Sequence, residues 1–452
     1  MPETPAPGVA ALNLLADFPA VSTETWEKTI IADLKGADYD KKLVWKTEDG
    51  LSVRPYYRSE NLPLVLPPRR ENADWTALEG AVPAGVIDGA AFHEAGATAV
   101  QELGYTLAAA SDQLALGKAV PGLLFAVGSN YFFEIAKLRA ARMLFARMAD
   151  AYGQPAAVKI YAVTALSNKS IYDPYTNLLR ATTESLSAVI GGCDSLKVQP
   201  AGFAGRLADN VQLILREEAH MDKVADPAGG SYYVEALTDM LAREAWKLFQ
   251  QVEAEGGFAN AAASVSAAIA VSRAAKEKSI ASRRRVMVGV NNYPDIHEKE
   301  LAHQGCITGV EWRLAGAIEQ IRLRTERHAV ATGATPKVLL LKRGDLKMKG
   351  ARGTFCQNFF GCGGFVIEES ESYEGTDAAL IVLCSSDAEY LELAKEVCAK
   401  VSVPVAVAGN PKEQMDELKA AGVAGFVHVQ SNMVETLSDW QHRLGIGARE
   451  EK

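Results

Sequence analysis

Hydrophobic and polar positions along this 452-residue chain follow different periods in different stretches, and the changes of period divide it. Near the start, Trp26, Ile30, Ile31 and Leu34 recur at helical spacing behind Ser22 and Thr23, residues suited to cap a helix that runs to Gly36. Two strand-like pieces follow, Leu43–Trp45 and Leu51–Val53, separated by Glu48-Asp49-Gly50, where the Asp-Gly pair predicts a hairpin turn. An arm this small holds too little apolar material for a core and must pack on its own body or on a partner. Leu62 to Asp74, with Pro63, Pro67 and Pro68, lacks apolar periodicity and reads as a linker.

From Trp75 to Arg327 strands and long helices alternate. The strand candidates are Ala84–Ile87, Leu123–Val127, Val158–Val163, Ser195–Val198 and Val286–Val290. Helical runs lie between them: Ala95–Ala115, Tyr131–Tyr152, Asn177–Ile190, Gly205–Glu218 and Ser231–Glu255, with a further Ala-rich helix around Ala259–Ala275. In the second run Phe132, Ile135, Leu138 and Phe145 form an apolar stripe, with Lys137, Arg139 and Arg147 off it. Asp226-Pro227 and Gly229-Gly230 make a turn that delivers Ser231 as a helix cap. Such alternation implies a parallel sheet with helices outside, either open or closed into a barrel. Beyond the linker Thr332–Pro336, the runs Lys337–Leu341, Phe365–Glu368, Leu380–Cys384, Pro404–Ala408 and Gly425–Val429 are short and continuously apolar. That is the pattern of parallel strands covered on both faces, and five of them separated by helices predict a flavodoxin-like doubly wound domain. The expected division is an arm and linker over 1–74, a first α/β region over 75–327 and the doubly wound domain over 336–452.

Composition adds little. Hydrophobic residues make up 48% and charged residues 23%, ordinary for a globular chain, and the net charge of -9 argues against nucleic acid or an anionic membrane as main partner. Arg283-Arg284-Arg285 is the one basic run and reads as a solvated helix end. Cys193, Cys306, Cys356, Cys362, Cys384 and Cys398 show no metal-type spacing, and several lie in apolar stretches, which predicts reduced thiols. Met1–Val9 lacks the pattern of a secretory signal, and no apolar stretch approaches the ~20 residues that span a bilayer, so a cytoplasmic location is expected.

Several blocks resemble the methylmalonyl-CoA mutase family: Glu94–Ala108, Asn130–Leu144, Asn177–Leu196, Leu207–Thr238 and Val288-Gly289-Val290-Asn291. The arm, with Leu34-Lys35-Gly36 and Trp45–Gly50, is similar to the family's N-terminal extension. The resemblance implies a TIM-type barrel that encloses an acyl-CoA thioester, followed by a cobalamin-binding domain. Between the arm and Glu94, however, relatives insert several strand–helix units. A full barrel needs eight strands and about 250 residues. Five strand candidates, matching the family's last five, predict a partial, open barrel whose exposed edges and inner face a partner would cover.

Measured against the resemblance, the side chains depart further. Catalytic members carry Asp-x-His-x-x-Gly after the first strand of the last domain, and its His coordinates cobalt. The matching positions here are Asp345, Lys347 and Gly350. An imidazole with pKa near ~6.5 offers a neutral nitrogen lone pair, whereas an exposed ammonium with pKa about 10.4 offers none. The family's Ser-x-Leu corresponds to Ser385-Ser386-Asp387, and its Gly-Gly to Ala408-Gly409. In the barrel, Ala91 stands where relatives have a substrate-contacting His, with His93 offset by two residues and read as a helix-start residue. Ala162–Leu166 replaces a polar run, and Lys197 replaces a His.

These changes imply no catalytic, cofactor or metal ligand in this chain. The resemblance then implies the non-catalytic small subunit of a heterodimer. Its large catalytic subunit would bind adenosylcobalamin and interconvert (R)-methylmalonyl-CoA and succinyl-CoA in propionate metabolism. The alternatives are a subunit of an isobutyryl-CoA-type mutase, a stand-alone B12 mutase, or a module that serves a mutase without chemistry.

Overall fold

A computed structural model describes residues 16–63, 70, 72–301, 307 and 309–447. Met1–Val9, where no secretory signal was expected, most of the proline-rich linker and Cys306 therefore lie outside the described residues. The chain forms two compact units that meet at Tyr57 and Arg58.

In the first unit, α1 (Thr23–Asp33) starts where the Ser22 hydroxyl accepts from the Thr25 amide, and α2 (Tyr39–Leu43) starts at an Asp38 cap. Leu43 thus ends a helix instead of opening a strand, because the Asp38 cap nucleates a turn just before it. Strands β1 (Trp45–Lys46) and β2 (Ser52–Val53) pair antiparallel, Trp45 opposite Val53, around Gly50 at φ +77°. Helix α1 buries no residue, and Trp26, Ile31 and Trp45 are exposed.

The second unit opens with β3 (Thr76–Ala77), β4 (Ile87–Asp88), α3 (Ala90–Glu94), α4 (Ala99–Ala115), β5 (Gly122–Val127), α5 (Tyr131–Ala151) and β6 (Lys159–Thr164). It continues through α6 (Pro174–Ile190), β7 (Ser195–Lys197), α7 (Gly205–Leu213), α8 (Tyr232–Ala254) and α9 (Ala262–Ala281). The strands form one wholly parallel sheet in the order β3-β7-β6-β5-β4, open at β3 and β4.

Several expectations are corrected here. Val286–Val290 is not a strand: Asn291, fully buried, takes the Met287 amide and donates to the Ile280 and Arg285 carbonyls, so the segment wraps around it. The place beside β7 is taken by Thr76–Ala77, a strand missed because two residues carry no periodicity. The run from Ala95 breaks at Gly96, φ +107°, where a Cβ would meet Arg273 at 2.8 Å. Helix α4 restarts with a capping box between Thr98 and Gln101. On α5, Lys137 and Arg139 are buried and Phe132 is exposed, because that helix is enclosed on most sides. Of the basic run only Arg284 is exposed; Arg283 stacks 5.0 Å over Phe355.

The inner face of the sheet is covered by this chain itself. Leu78, Val82 and Val86, from the segment joining β3 to β4, pack on Leu124, Ala126, Tyr161 and Ala165. The edges are blunted because β3 and β4 are two residues long.

The remainder is α10 (Gly316–Thr332), β8 (Lys337–Lys342), α11 (Leu346–Cys362), β9 (Val366–Ser370), β10 (Leu380–Cys384), α12 (Tyr390–Cys398), β11 (Val405–Ala408), α13 (Met415–Ala420), β12 (Gly425–Val427) and α14 (Met433–Arg443). Its parallel sheet runs β9-β8-β10-β11-β12, the 2-1-3-4-5 order of flavodoxin-like domains. Successive strand residues point to opposite faces. Val338, Leu340, Leu380 and Val382 meet α10, α11 and α14, while Leu339, Leu341, Ile381 and Leu383 meet α12 and α13. Both faces are buried, which is why these strands read as unbroken apolar runs.

Candidate functional site

In parallel α/β sheets ligands bind at the carboxyl ends of the strands, so two places are candidates. At the first sheet, Ala91 is exposed on α3, its amide bonded to the Asp88 carboxylate at 3.1 Å. His93 lies in the last turn of α3, not its start, with Nδ1 2.9 Å from Glu102 Oε2. Glu102 and Lys137 are both fully buried. Lys137 Nζ reaches Glu102 at 2.7 Å, Glu134 at 2.5 Å and the Ala126 carbonyl at 2.6 Å. Burial would neutralise each group, but their mutual attraction wins, holding the Glu102 carboxyl below and the Lys137 ammonium above the usual range. His93 thus belongs to a structural ion cluster.

Around it the strand ends bind one another. Glu94 accepts the Leu166 and Ser167 amides at 2.8 and 2.7 Å, pinning the loop after β6. Thr164 is buried and accepts the Gln199 amide at 2.8 Å, and Lys197 Nζ donates to the Gly80 carbonyl at 3.1 Å. Deeper in, Lys169 Nζ donates to Glu184 at 2.7 and 2.8 Å, to Asn168 at 2.7 Å and to the Ala165 carbonyl at 2.6 Å. Burial pushes Lys169 down and Glu184 up in pKa, which their pairing opposes. Nothing in the sequence flagged this pair, because its members sit fifteen residues apart on a loop and a helix.

The second candidate is the crevice between β8 and β10, where the strand order reverses. Asp345 caps α11 by accepting the Met348 amide at 2.8 Å; Lys347 is exposed in the first turn and Gly350 is half-buried. From the β10 side, Glu389 Oε2 accepts the Ser385 and Ser386 hydroxyls, both at 2.6 Å, and the Ser386 and Asp345 amides at 3.1 and 3.2 Å. Two hydroxyls and two amides hold this carboxyl down at about 2. It lies so close to Gly344 that a Cβ there would meet it at 2.2 Å.

Beside it, Arg352 donates to Asp387 at 2.7 Å and to the Tyr390 hydroxyl at 2.5 Å, which in turn donates to the Ala408 carbonyl at 2.5 Å. Burial raises the Tyr390 pKa. Gly409 gives room for this guanidinium: a Cβ would come within 2.7 Å of it. Asp345, Ser385, Asp387, Ala408 and Gly409 are therefore brought together, but onto Glu389, Arg352 and Tyr390 of the same chain. Lys347, exposed in the first turn, takes no part in this bonding. Glu389 was missed, although Ser386-x-x-Glu389 is a capping-box signature that could have found it.

Among the described residues no group of three or more His, Cys, Asp or Glu could hold a metal ion, and no helix is long and apolar enough to cross a membrane. The sequence model described as methylmalonyl-CoA mutase matches residues 82–333. Three similar proteins are each named methylmalonyl-CoA mutase small subunit. That of Porphyromonas gingivalis is 33% identical, with 96% of this chain and 99% of the relative covered. Those of Streptomyces virginiae and Propionibacterium freudenreichii subsp. shermanii are 38% and 30% identical, with 80% of this chain and 64% and 63% of the relatives covered. This chain thus spans somewhat less than two thirds of the latter two. The Porphyromonas alignment runs over 617 residues against 452 in this chain, so at least 165 of its positions have no counterpart here. The chain belongs to the methylmalonyl-CoA mutase family.

Proposed function

We propose that this protein is the non-catalytic small subunit of an adenosylcobalamin-dependent methylmalonyl-CoA mutase, working in the cytoplasm beside a large catalytic subunit that carries the coenzyme. The large subunit interconverts (R)-methylmalonyl-CoA and succinyl-CoA, and this chain stabilises it. The observation that carries the reading is the filled crevice. Lys347 stands where a neutral imidazole would be needed, and Glu389 with Arg352 binds the loops that would have to open around a cobalamin. The residues present do not fit that group, and no chemical step is derived through it. Ala91 and Lys197 offer no imidazole at the two places where the resemblance expects one.

The arm supports pairing. Trp26, Ile31 and Trp45 are exposed apolar side chains on a unit whose α1 buries nothing, the composition of a surface that meets a partner. The buried thiols agree with a reducing compartment: burial pushes Cys193 and Cys362 up to about 12. Co-expression with the large subunit, with a tag on one chain, is expected to recover both. Titration of the isolated chain with adenosylcobalamin is expected to leave the coenzyme spectrum unchanged. Turnover of methylmalonyl-CoA by this chain alone would overturn the proposal.

A further inference from the structure

A barrel shortened to five strands should expose its lumen face, and here it does not. The sheet runs β3-β7-β6-β5-β4, so the chain leaving β3 must cross three strands to begin β4. That is four inter-strand spacings of ~4.8 Å, about 19 Å. Nine residues, Leu78 to Val86, make the crossing. As a helix they would reach only about 13.5 Å, but extended they reach up to about 30 Å. The segment spans the gap as an irregular coil, bent at Gly80 and Ala81 and turned over Pro83–Val86, where the Val86 amide donates to the Pro83 carbonyl at 3.3 Å, and Leu78, Val82 and Val86 pack on the inner face.

Its sequence suits the task. Leu78, Val82 and Val86 are half-buried against Leu124, Ala126, Tyr161 and Ala165, while Ala81, Pro83 and Ala84 between them are exposed. The ends are anchored: the Leu78 amide donates to the Leu196 carbonyl at 2.8 Å, and the Lys197 ammonium donates to the Gly80 carbonyl at 3.1 Å. The floor is flattened to receive it. A Cβ at Gly122 would meet the Tyr161 ring at 2.5 Å, so glycine there lets the ring lie down under the strap, only 6% exposed.

We propose that residues 78–86 are an intramolecular strap that replaces the missing barrel wall, sealing the lumen face within one chain. It leaves the inner face needing no second subunit to cover it. This holds whether or not the chain pairs with a catalytic subunit.

Hydroxyl-radical footprinting of the isolated full-length protein tests it, with Tyr175, 73% exposed, as internal standard for Tyr161. The wild type is expected to protect Tyr161 strongly relative to Tyr175. The Leu78→Ser/Val82→Ser/Val86→Ser variant is expected to lose Tyr161 protection and to bind more 8-anilinonaphthalene sulfonate than the wild type, with far-UV helix signal retained. Should that variant not fold, Lys197→Met, which removes only the tie at Gly80, is expected to raise Tyr161 labelling by a smaller factor. Labelling of Tyr161 at the rate of Tyr175 in the wild type would overturn the strap.

Discussion

The two parallel sheets of this protein are completed in different ways. The first is open at both edges, with residues 78–86 over its inner face and ion pairs buried among the helices behind it. The second has a complete doubly wound order with apolar packing on both faces, and its crevice is held by side chains of the same chain. An open sheet needs its inner face covered, because exposed apolar surface is costly. A doubly wound sheet is covered on both faces by its helices, so only the loops at its crevice are left to be tied by side chains. The first region buries ion pairs beside its apolar core, whereas the second buries mainly apolar volume.

The sharpest way to break that contrast is Lys169→Met. It leaves Glu184 buried with its main partner gone and is expected to cost about 3–5 kcal/mol in urea unfolding. Lys169→Met/Glu184→Leu together is expected to recover most of that loss; a double variant as unstable as the single would remove the idea that charge compensation governs the first region. In the second, Leu340→Ala deletes fully buried volume and is expected to cost about 3 kcal/mol, with the cavity dominating.

Acid sensitivity comes next in size. Glu389 titrates at about 2 in the fold and near ~4.3 in an unfolded chain. Its folded value is depressed, so its contribution is complete above pH about 4.5 and disappears as pH falls towards 2. Glu389→Gln is expected to flatten the fall in urea midpoint across that window and to leave the neutral-pH crevice looser by hydrogen exchange at Asp345 and Ser386; an unchanged acid limb would dismiss the carboxylate as the tie. The smallest expected effect is none. Lys347→His by itself is expected to confer no cobalamin binding, because Glu389 and Arg352 still fill the crevice; a base-on coenzyme spectrum from that variant would show that one ligand was all that was missing.

Much of this architecture was legible beforehand because it is local. The five apolar runs after Pro336 became five parallel strands, since burial of both faces leaves a mark on consecutive residues. Helices α5 and α8 and the Ser22 cap were readable for the same reason. Val286–Val290 has strand composition but lost its place to Thr76–Ala77, a competition decided by which segment reaches the β7 edge. Lys137 and Arg139 looked solvent-facing by type and are buried by pairing with Glu102 and Glu235. At the crevice, Lys347 was legible as a residue type, whereas Glu389 became meaningful only once it was placed against Gly344 and Asp345.

Sequence alone therefore determined the family and the strand–helix order after Pro336, each a property of neighbouring residues or of residue type at an aligned position. Tertiary structure decided that a nine-residue strap seals the sheet, that lysines at 137 and 169 are buried in ion pairs, and that the crevice is closed from within. The reason is physical: those outcomes depend on contacts between residues far apart in the chain, where burial and the partner's charge, not local propensity, set the free energy.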